Sequence, residues 1–397
     1  MSRLRVLYSF PTRLGTPGIG TTAWHQAAGL IELGVEVTLV CGSLERPLPG
    51  LRGLVETMRI GGRRIPYRAL GIARASRRHD RLAARHVAGH HRDLDVVHAW
   101  PLGAEHTLLT ARRMGVVGLL ERPNAHTGFA FDAVSSECRR IEIPVDPASP
   151  HAFDAQRLAR EEREYRAADF LLCPSDFVRD TFLDRGFDPD RMLRHRYGFD
   201  PSRFSAAARP PAGPLSVCFV GRGEPRKGLH LALRAWLDAG LGDEGRFLVC
   251  GEIEPAYREH LAPLLAHPSV ELRGAVSDPA RAMRECDALV LPSLEEGSAL
   301  VTYEARACGC IPVVSDRTGA VAAPEVDALV HPAGDVAALA RDLGRLARDP
   351  ELRRRLRQKG LARLDGLTWQ AAARRLEEVY GEALLRRAGR SPAARAA

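Results

Sequence analysis

The chain has 397 residues, of which 45% are apolar and 27% are charged, and its formal net charge is +8. This length exceeds what one typical hydrophobic core holds, so we expect two domains. The absence of a run of about 18 apolar residues excludes a membrane-spanning helix. The first residues, MSRLRVLYSF, have no apolar core or cleavage site of a secretory signal. We therefore expect a cytoplasmic protein whose basic surface favours anionic partners.

Short apolar strands alternate with amphipathic helical segments along the whole chain. The predicted strands cover residues 4–9, 35–41, 95–99, 116–120, 169–173, 215–220, 246–250, 270–273, 288–292 and 311–315. Apolar residues at helical spacing lie between most of them, as in TAWHQAAGLIELG and GLHLALRAWLDAG. This alternation is typical of an α/β protein with parallel sheets that are covered on both faces.

The alternation breaks once, at the Pro/Gly-rich segment ARPPAGP, residues 208 to 214. We interpret this segment as a linker between two Rossmann-like domains, residues 1–207 and 215–367. Ligands of such sheets bind beyond the carboxyl ends of the strands, so a shared site is expected in the cleft between the domains. A long amphipathic helix follows at about 368–387, and the tail 388–397 is expected to be disordered.

Residues 63–92 form the most basic region, with nine arginines, four histidines and one acidic residue. Three interpretations fit: a solvated helix face, a surface that docks anionic lipid or a charged acceptor, and a nucleic-acid site. The last is disfavoured because aromatic residues do not alternate with the charges.

The cysteines point away from metal and disulfide chemistry. None of the eight forms a Cys-x-x-Cys pair, and four of them, Cys41, Cys173, Cys218 and Cys250, stand at or near the ends of apolar runs. We expect buried thiols and no metal site.

A basic loop follows the first strand of the second domain. In FVGRGEPRKGLHLALRAW, residues 219–236, Arg222 follows the strand and Lys227 opens the next helix. Two cations beside a helix N-terminus form an anion site, because free backbone N–H groups and the helix dipole add to their charge. The segment does not contain a Walker A motif. On the residues alone, two readings stay open: two exposed basic residues, or a site that neutralises a leaving diphosphate.

An acidic motif follows a later strand, in PSLEEGSALVTYEARACGCIPVV, residues 292–314. Glu296 lies in the loop and Glu304 lies one to two turns into the helix. The segment between them, Gly297, Ser298, Ala299 and Leu300, presents backbone amides at the helix start. One reading has one glutamate cap the helix and the other lie on its solvated face. The other reading is a site for a polyhydroxylated, phosphorylated ligand.

The spacing of the two glutamates, with VGR-x4-KG about 70 residues upstream, resembles the E-x7-E signature of retaining glycosyltransferases of family 4, which have the GT-B fold. The resemblance implies that the last helix crosses back to the first domain, the acceptor side. It also implies that Glu296 contacts sugar hydroxyls near the reacting carbon and that Glu304 holds the ribose. Arg222 and Lys227 would then stabilise the leaving diphosphate.

The resemblance extends to other segments of the chain. Gly18 and Gly20 match a glycine-rich loop that approaches the diphosphate. Gly274 and Val276 match the strand and loop that receive the nucleobase. His126 follows a first-domain strand where the family often has a histidine facing the donor sugar.

Two departures from the family pattern are visible. Ser298 and Ala299 replace an aromatic residue and a glycine in EGFGL, and Tyr197 replaces the asparagine of NGVD. Neither change removes a charged group, so the expected activity stands.

By resemblance, the protein transfers a sugar from a nucleotide-diphosphate donor to an acceptor hydroxyl, with retention, by front-face attack. A D-x-D motif at a strand end is missing, so we expect metal independence and no cofactor besides the nucleotide sugar, with UDP favoured as the nucleotide. Alternatives are another GT-B sugar-nucleotide enzyme, an epimerase or a phosphorylase, or a non-catalytic module on a membrane surface. The basic region 63–92 allows peripheral contact with the inner face of the membrane.

Overall fold

The computed structural model describes residues 3–60, 63–208, 211 and 213–389. The first half contains the following elements in chain order: β1 (Arg5–Leu14), α1 (Ile19–Glu32), β2 (Glu36–Leu44), β3 (Gly53–Glu56), β4 (Arg59–Ile60), β5 (Arg63–Arg64), α2 (Tyr67–Leu70), α3 (Ile72–His90), β6 (Val96–Ala99), α4 (Glu105–Arg113), β7 (Val117–Glu121), α5 (Thr127–Arg140), α6 (Ala155–Ala167), β8 (Phe170–Cys173), α7 (Asp176–Leu183) and β9 (Met192–Arg194).

The second half and the last helix contain the remaining elements: β10 (Ser216–Val220), α8 (Leu229–Asp238), β11 (Arg246–Cys250), α9 (Pro255–Leu265), β12 (Val270–Gly274), α10 (Pro279–Arg284), β13 (Ala288–Leu291), α11 (Leu300–Ala307), β14 (Ile311–Ser315), β15 (Leu329–His331), α12 (Val336–Arg348), α13 (Pro350–Leu361) and α14 (Trp369–Gly389).

Thirteen of the strands form two parallel sheets with helices on both faces, and β4 and β5 form a separate antiparallel pair. The first has the order β3-β2-β1-β6-β7-β8-β9 and the second the order β12-β11-β10-β13-β14-β15. In each sheet the direction of progression reverses beside the first strand, between β1 and β6 and between β10 and β13. Such reversal points open a crevice at the carboxyl ends of the strands, and that crevice is where ligands bind in this class of sheet.

Burial explains why these segments become strands. Residues of the central strands, such as Val6, Leu7, Val217 and Phe219, are fully buried, because helices cover both faces of each sheet. All ten predicted strands are present, and the predicted α/β class with two Rossmann-like halves is confirmed. The short strands β3, β4, β5, β9 and β15 were not predicted, since two to four residues carry too little periodicity.

The helix α14 returns from the second half to the first. Its residues Leu376, Val379, Tyr380 and Ala383 belong to the core of the first sheet. The Tyr380 hydroxyl lies 2.6 Å from Nδ1 of His98, a buried residue of β6. The predicted crossing of the last helix is therefore confirmed.

The domain limits remain predictions. The first sheet ends at residue 194 and the second begins at residue 216, which brackets the predicted linker 208–214, but residues 209, 210 and 212 of that linker lie outside the described residues. Residues 388 and 389 of the predicted tail are the end of α14, and residues 390–397 lie outside the described residues.

Two further expectations concern the cysteines and the membrane. All eight cysteines are buried and free, as predicted. Among the helices of the described residues, none has the length and apolarity needed to cross a membrane.

Candidate active site

A pocket of about 950 Å³, open mouth included, lies in the cleft between the two halves. The first half contributes Gly18, Ile19, Thr22 and Asn124 to its walls, and the second half contributes Lys227, Glu296, Ser298, Leu300 and Glu304. These residues follow β1, β7, β10 and β13, so both chain-reversal points open onto one space.

A glycine, Gly228, allows the basic loop (residues 221–228) to approach the acidic loop (residues 292–299). After β10, residues Pro225–Lys227 form one turn of 3-10 helix, and Gly228 then adopts a left-handed conformation with φ of 70°. A Cβ atom at Gly228 would lie 2.4 Å from the carbonyl oxygen of Pro292, at the end of β13. Glycine thus permits both the backbone conformation and the close approach, and Lys227 is brought beside Glu296.

Arg226 lies at the centre of the resulting charge cluster. Its guanidinium group is 2.8 Å from Glu224 and 3.3 Å from Glu295. It is 3.1 Å from one carboxylate oxygen of Glu296, and the Lys227 ammonium is 2.8 Å from the other. Glu296 is therefore ion-paired with two cations and also lines the cleft pocket.

The two neighbouring glutamates of the loop have opposite electrostatics. Burial tends to raise the pKa of Glu296, but Arg226 and Lys227 more than offset it and lower that pKa to about 2. For Glu295 burial dominates and raises the pKa, and repulsion by Glu296 adds to it, although Arg226 and the amide of Ala125 favour the ionised form. Glu296 is thus a fixed anion and a poor proton acceptor at neutral pH.

Glu304 is held differently from Glu296. It projects from α11 into the cleft pocket, and among the described residues its carboxylate has no hydrogen bond or ion pair. Burial raises its pKa to about 7, with only a weak opposing effect of Arg203. Such a desolvated acceptor favours a ligand that donates hydrogen bonds, such as a ribose diol.

The loop after β13 also contacts the first half directly. The amide of Ala125 donates to Oε1 of Glu295 at 3.0 Å, and Ser175 Oγ donates to the carbonyl oxygen of Gly297 at 2.6 Å. A Cβ at Gly297 would lie only 1.6 Å from the carbonyl oxygen of Pro123. Glycine is therefore required by close packing between the halves.

The residues that differ from the family pattern, at positions 197, 298 and 299, make contacts within the protein. Ser298 Oγ lies 2.8 Å from the hydroxyl of Tyr303. Tyr197 lines the cleft pocket, and its hydroxyl donates to Oε1 of the buried Glu121 at 2.9 Å. The Ala299 amide already donates to the carbonyl oxygen of Thr318 at 3.3 Å. It is thus committed within the protein, unlike the ligand contact that the sequence suggested.

Gly18 and Gly20 differ in their surroundings, and the role predicted for them stays a prediction. Gly18 lines the cleft pocket with φ of 84°, and nothing lies within 4 Å of where its Cβ would be, so a ligand can approach its backbone. Gly20 instead packs inside the first half, since a Cβ there would meet the carbonyl oxygen of Arg13 at 2.6 Å.

Three other predicted residues lie outside the pocket lining. The Arg222 side chain is 57% exposed and pairs with Glu254 at 3.0 Å, at the rim of the basic loop. Gly274 ends β12, where its carbonyl oxygen accepts from the Gly251 amide at 2.7 Å. Val276 packs against the core of the second half. Their predicted roles stay predictions.

His126 has a structural place in the first half. Its Nδ1 accepts from the Gly128 amide at 3.1 Å and caps α5, while its ring packs edge-on against Tyr165 and Phe182. Burial and the nearby Arg122 lower its pKa to about 3. The imidazole is thus not brought to the cleft pocket, and the prediction that it faces the donor sugar is not supported. Its helix-capping position directs the ring into the core.

Several residues of the site were not predicted from the sequence. Arg226 directly precedes Lys227 in the basic loop, and this adjacency was the only feature of the sequence that could have indicated it. His151 is buried close enough to Arg226 and Glu296 for both to affect its pKa, which burial lowers to about 3. Asn124 lines the cleft after β7. No motif identifies His151 or Asn124, because only tertiary packing places His151 near Arg226 and Glu296 and Asn124 in the wall of the cleft pocket.

No group of three or more His, Cys, Asp or Glu residues is arranged to hold a metal ion in the described part of the chain.

Comparison with known families and relatives agrees with this geometry. The model for glycosyltransferase family 4 matches residues 17–203, and that for glycosyl transferases group 1 matches residues 214–349. A D-inositol 3-phosphate glycosyltransferase from Salinispora arenicola is 30% identical over 77% of this chain and 71% of its own length. One from Actinosynnema mirum is 26% identical over 96% of this chain and 98% of its own length.

Solved structures share the fold. Sucrose-phosphate synthase from Thermosynechococcus elongatus has a TM-score of 0.68 at 19% identity and covers 96% of this chain and 99% of its own. Anabaena HepE in complex with UDP has a TM-score of 0.63 at 15% identity over 96% of this chain and 100% of its own. Because both halves match their family models and the Salinispora relative is matched over most of its length, this chain belongs to glycosyltransferase family 4 and is a glycosyltransferase of the GT-B fold.

Proposed function

We propose that the protein transfers a sugar from a nucleotide-diphosphate donor to an acceptor hydroxyl, with retention of anomeric configuration and without a metal ion. The observation that carries this proposal is the meeting of Lys227 and Glu296 at 2.8 Å in a cleft that Glu304 also lines. A cation suited to a diphosphate (Lys227), a fixed anion suited to the sugar (Glu296) and a carboxylate suited to the ribose (Glu304) thus line a single pocket.

In the proposed step, the bond between the anomeric carbon and the diphosphate oxygen breaks, and the diphosphate leaves with the electron pair. The Lys227 ammonium group stabilises that charge, assisted by the start of α11. The acceptor oxygen attacks from the same face and its proton passes to the departing phosphate. Glu296 accepts hydrogen bonds from sugar hydroxyls, and its negative charge stabilises the positive charge that develops on the sugar.

The front-face route is favoured by the ionisation of Glu296. Two cations hold it as an anion with a pKa of about 2, so it is a weak base for the acceptor proton at neutral pH. The departing phosphate is the stronger base of the two. The nucleotide is proposed to be UDP, since HepE was solved with UDP and with UDP-glucose and shares this fold.

The test is a nucleotide-sugar assay on the full chain. Thermal shift against UDP, GDP, ADP and dTDP sugars ranks the donor, because ligand binding raises the melting temperature by mass action. Transfer is then followed with and without EDTA, and full activity in EDTA is expected. A strict requirement for Mn²⁺ would refute metal independence. An epimerised donor without acceptor, or sugar phosphate formed with added phosphate, would favour the epimerase or phosphorylase alternative.

A cytoplasmic location with peripheral membrane contact is a further part of the proposal. The exposed residues Arg74, Arg77, Arg81 and Arg85 lie along one face of α3, and within the described residues none of them pairs with a carboxylate. The one acid of this region, Asp80, is buried and accepts from the first amides of α4. We expect salt-sensitive pelleting with anionic vesicles but not with neutral vesicles; equal pelleting with both would count against it.

A further inference from the structure

A second pocket, here called the side pocket, opens off the cleft into the first half. It encloses about 780 Å³, open mouth included. It shares Ile19, Trp100, Pro123 and Asn124 with the cleft pocket that contains Lys227 and Glu296. A molecule in the side pocket could therefore present one end to the donor site while its body stays in the first half.

The walls of the side pocket are mainly apolar. They include Phe10, Pro11, Trp100, Pro101, Leu102 and Phe131. Large apolar side chains are also exposed at its edge: Ile72 is 69% exposed and Ile19 is 52% exposed. Phe153, 68% exposed, packs edge-on against Phe131 with ring centroids 5.6 Å apart. Exposed apolar groups around a pocket mouth indicate a ligand that covers them.

The charged residues of this pocket are already engaged with one another. Arg122 lies 2.9 Å from Glu161, and Nε of Arg157 lies 2.7 Å from the other oxygen of that carboxylate. Arg157 also donates to the carbonyl oxygen of Pro150. His151 is neutral at physiological pH, since burial and Arg226 lower its pKa to about 3. Among the described lining residues, no cation is left without a protein partner.

A strained turn keeps one apolar wall in place. Leu102 has φ of 71°, a left-handed backbone conformation that an L-residue adopts only under strain. The buried carboxylate of Glu164 accepts from the amides of Leu102 at 2.8 Å and of Ala104 at 3.1 Å. This turn holds Leu102 in the wall of the side pocket, as expected of a binding surface that must keep its shape.

We propose that the side pocket binds the body of the acceptor, and that this acceptor is an uncharged alcohol with an apolar skeleton, either a soluble aglycone or a lipid alcohol. The inference rests on the proposed function. The alcohol oxygen would lie at the junction near Asn124, bond to the anomeric carbon, and lose its proton to the departing diphosphate. A phosphorylated polyol, the acceptor in the name of the relatives, would lose its hydration against apolar walls and find no free cation.

Binding tests the proposal independently of turnover. The full chain, saturated with UDP, is titrated with umbelliferone, with farnesol in neutral vesicles, and with D-inositol 3-phosphate. Tryptophan fluorescence and thermal shift report occupancy, since Trp100 lines the pocket. Binding of umbelliferone supports a soluble aglycone and binding of farnesol alone supports a lipid alcohol. Binding of inositol phosphate alone, or of none of the three, overturns the inference.

A matched pair of variants localises the binding. Ile72→Asp places a charge at the exposed mouth, and Leu385→Asp does the same at a 76% exposed leucine of α14. We expect Ile72→Asp to weaken alcohol binding about tenfold while UDP binding is unchanged, and Leu385→Asp to change neither. Equal alcohol affinity in both variants refutes the assignment of the pocket.

The outcomes also separate this inference from the proposed function. If an alcohol binds in a manner sensitive to Ile72→Asp but no nucleotide sugar is turned over with it, the pocket assignment stands and the proposed transfer fails. If sugar is transferred to inositol phosphate instead, the transfer stands and the inferred acceptor class is wrong.

Discussion

The pKa of Glu304 leads to a quantitative prediction about donor binding. Burial raises that pKa to about 7, and Arg203 opposes the rise only in part. We take the ionised carboxylate as the binding form, because it accepts at both oxygens, whereas protonation turns one oxygen into a donor. Its ionised fraction falls from about 0.9 near pH 8 to about 0.09 near pH 6. The apparent dissociation constant scales inversely with this fraction, so donor affinity should weaken about tenfold, or about 1.4 kcal/mol, over this range.

The assay is calorimetric titration of the enzyme with the nucleotide sugar that ranks first in the thermal-shift screen. A nucleotide sugar is preferred to a free nucleotide because its diphosphate has no proton to lose in this pH range. Glu304→Gln is the matched control: it keeps the shape but cannot ionise, so its affinity should be weaker near pH 8 and nearly independent of pH. Near pH 6, binding to the wild-type enzyme should also release about one proton.

Two results would refute this reasoning. One is a wild-type dissociation constant that is flat between these pH values. The other is an equal pH dependence in Glu304→Gln, which would show that a different group titrates. Either result would mean that Glu304 does not hold the ribose as an ionised acceptor.

Three further predictions concern stability and domain contact. Arg226→Met should destabilise the fold by about 3 kcal/mol or more, because it leaves the buried carboxylates of Glu224 and Glu295 without their cation. Arg222→Met, at an exposed position, should cost less than about 1 kcal/mol. Denaturant melts in which both variants unfold alike would contradict this. Gly297→Ala should lower kcat strongly, because the new Cβ would lie 1.6 Å from a carbonyl oxygen of the other half. The control Gly381→Ala in α14, where nothing lies within 4 Å of the new Cβ, should leave kcat unchanged. A normal kcat in both variants would disprove the contact. The pKa of Glu161 is lowered to about 2 in the fold, against an ordinary value of 4.5, chiefly because Arg122 and Arg157 outweigh burial. Its ionised form thus stabilises the protein above about pH 4.5, a contribution lost as the pH falls towards 2, and Glu161→Gln should flatten that part of the stability profile; an unchanged acid limb would refute the assignment.

Local pattern was enough to predict the strands and the two-sheet architecture. Strands such as β1 and β10 are buried on both faces, so their apolar residues form continuous runs that can be recognised in the sequence. The positions of Glu296 and Glu304 were also predictable in outline, because a loop residue after a strand and a residue in the first turns of the next helix share the same edge of the sheet.

The local sequence pattern could not predict where individual side chains point or which residues they contact. Arg222 and Arg226 are both arginines of one loop, but Arg226 is the buried one because Glu295, 69 residues later, packs against it. His126 turns into an aromatic core because it caps a helix. Gly297 is required by a carbonyl oxygen of the other half. Each outcome depends on atoms distant in the chain that only folding brings within contact distance, and a local pattern holds no information about them.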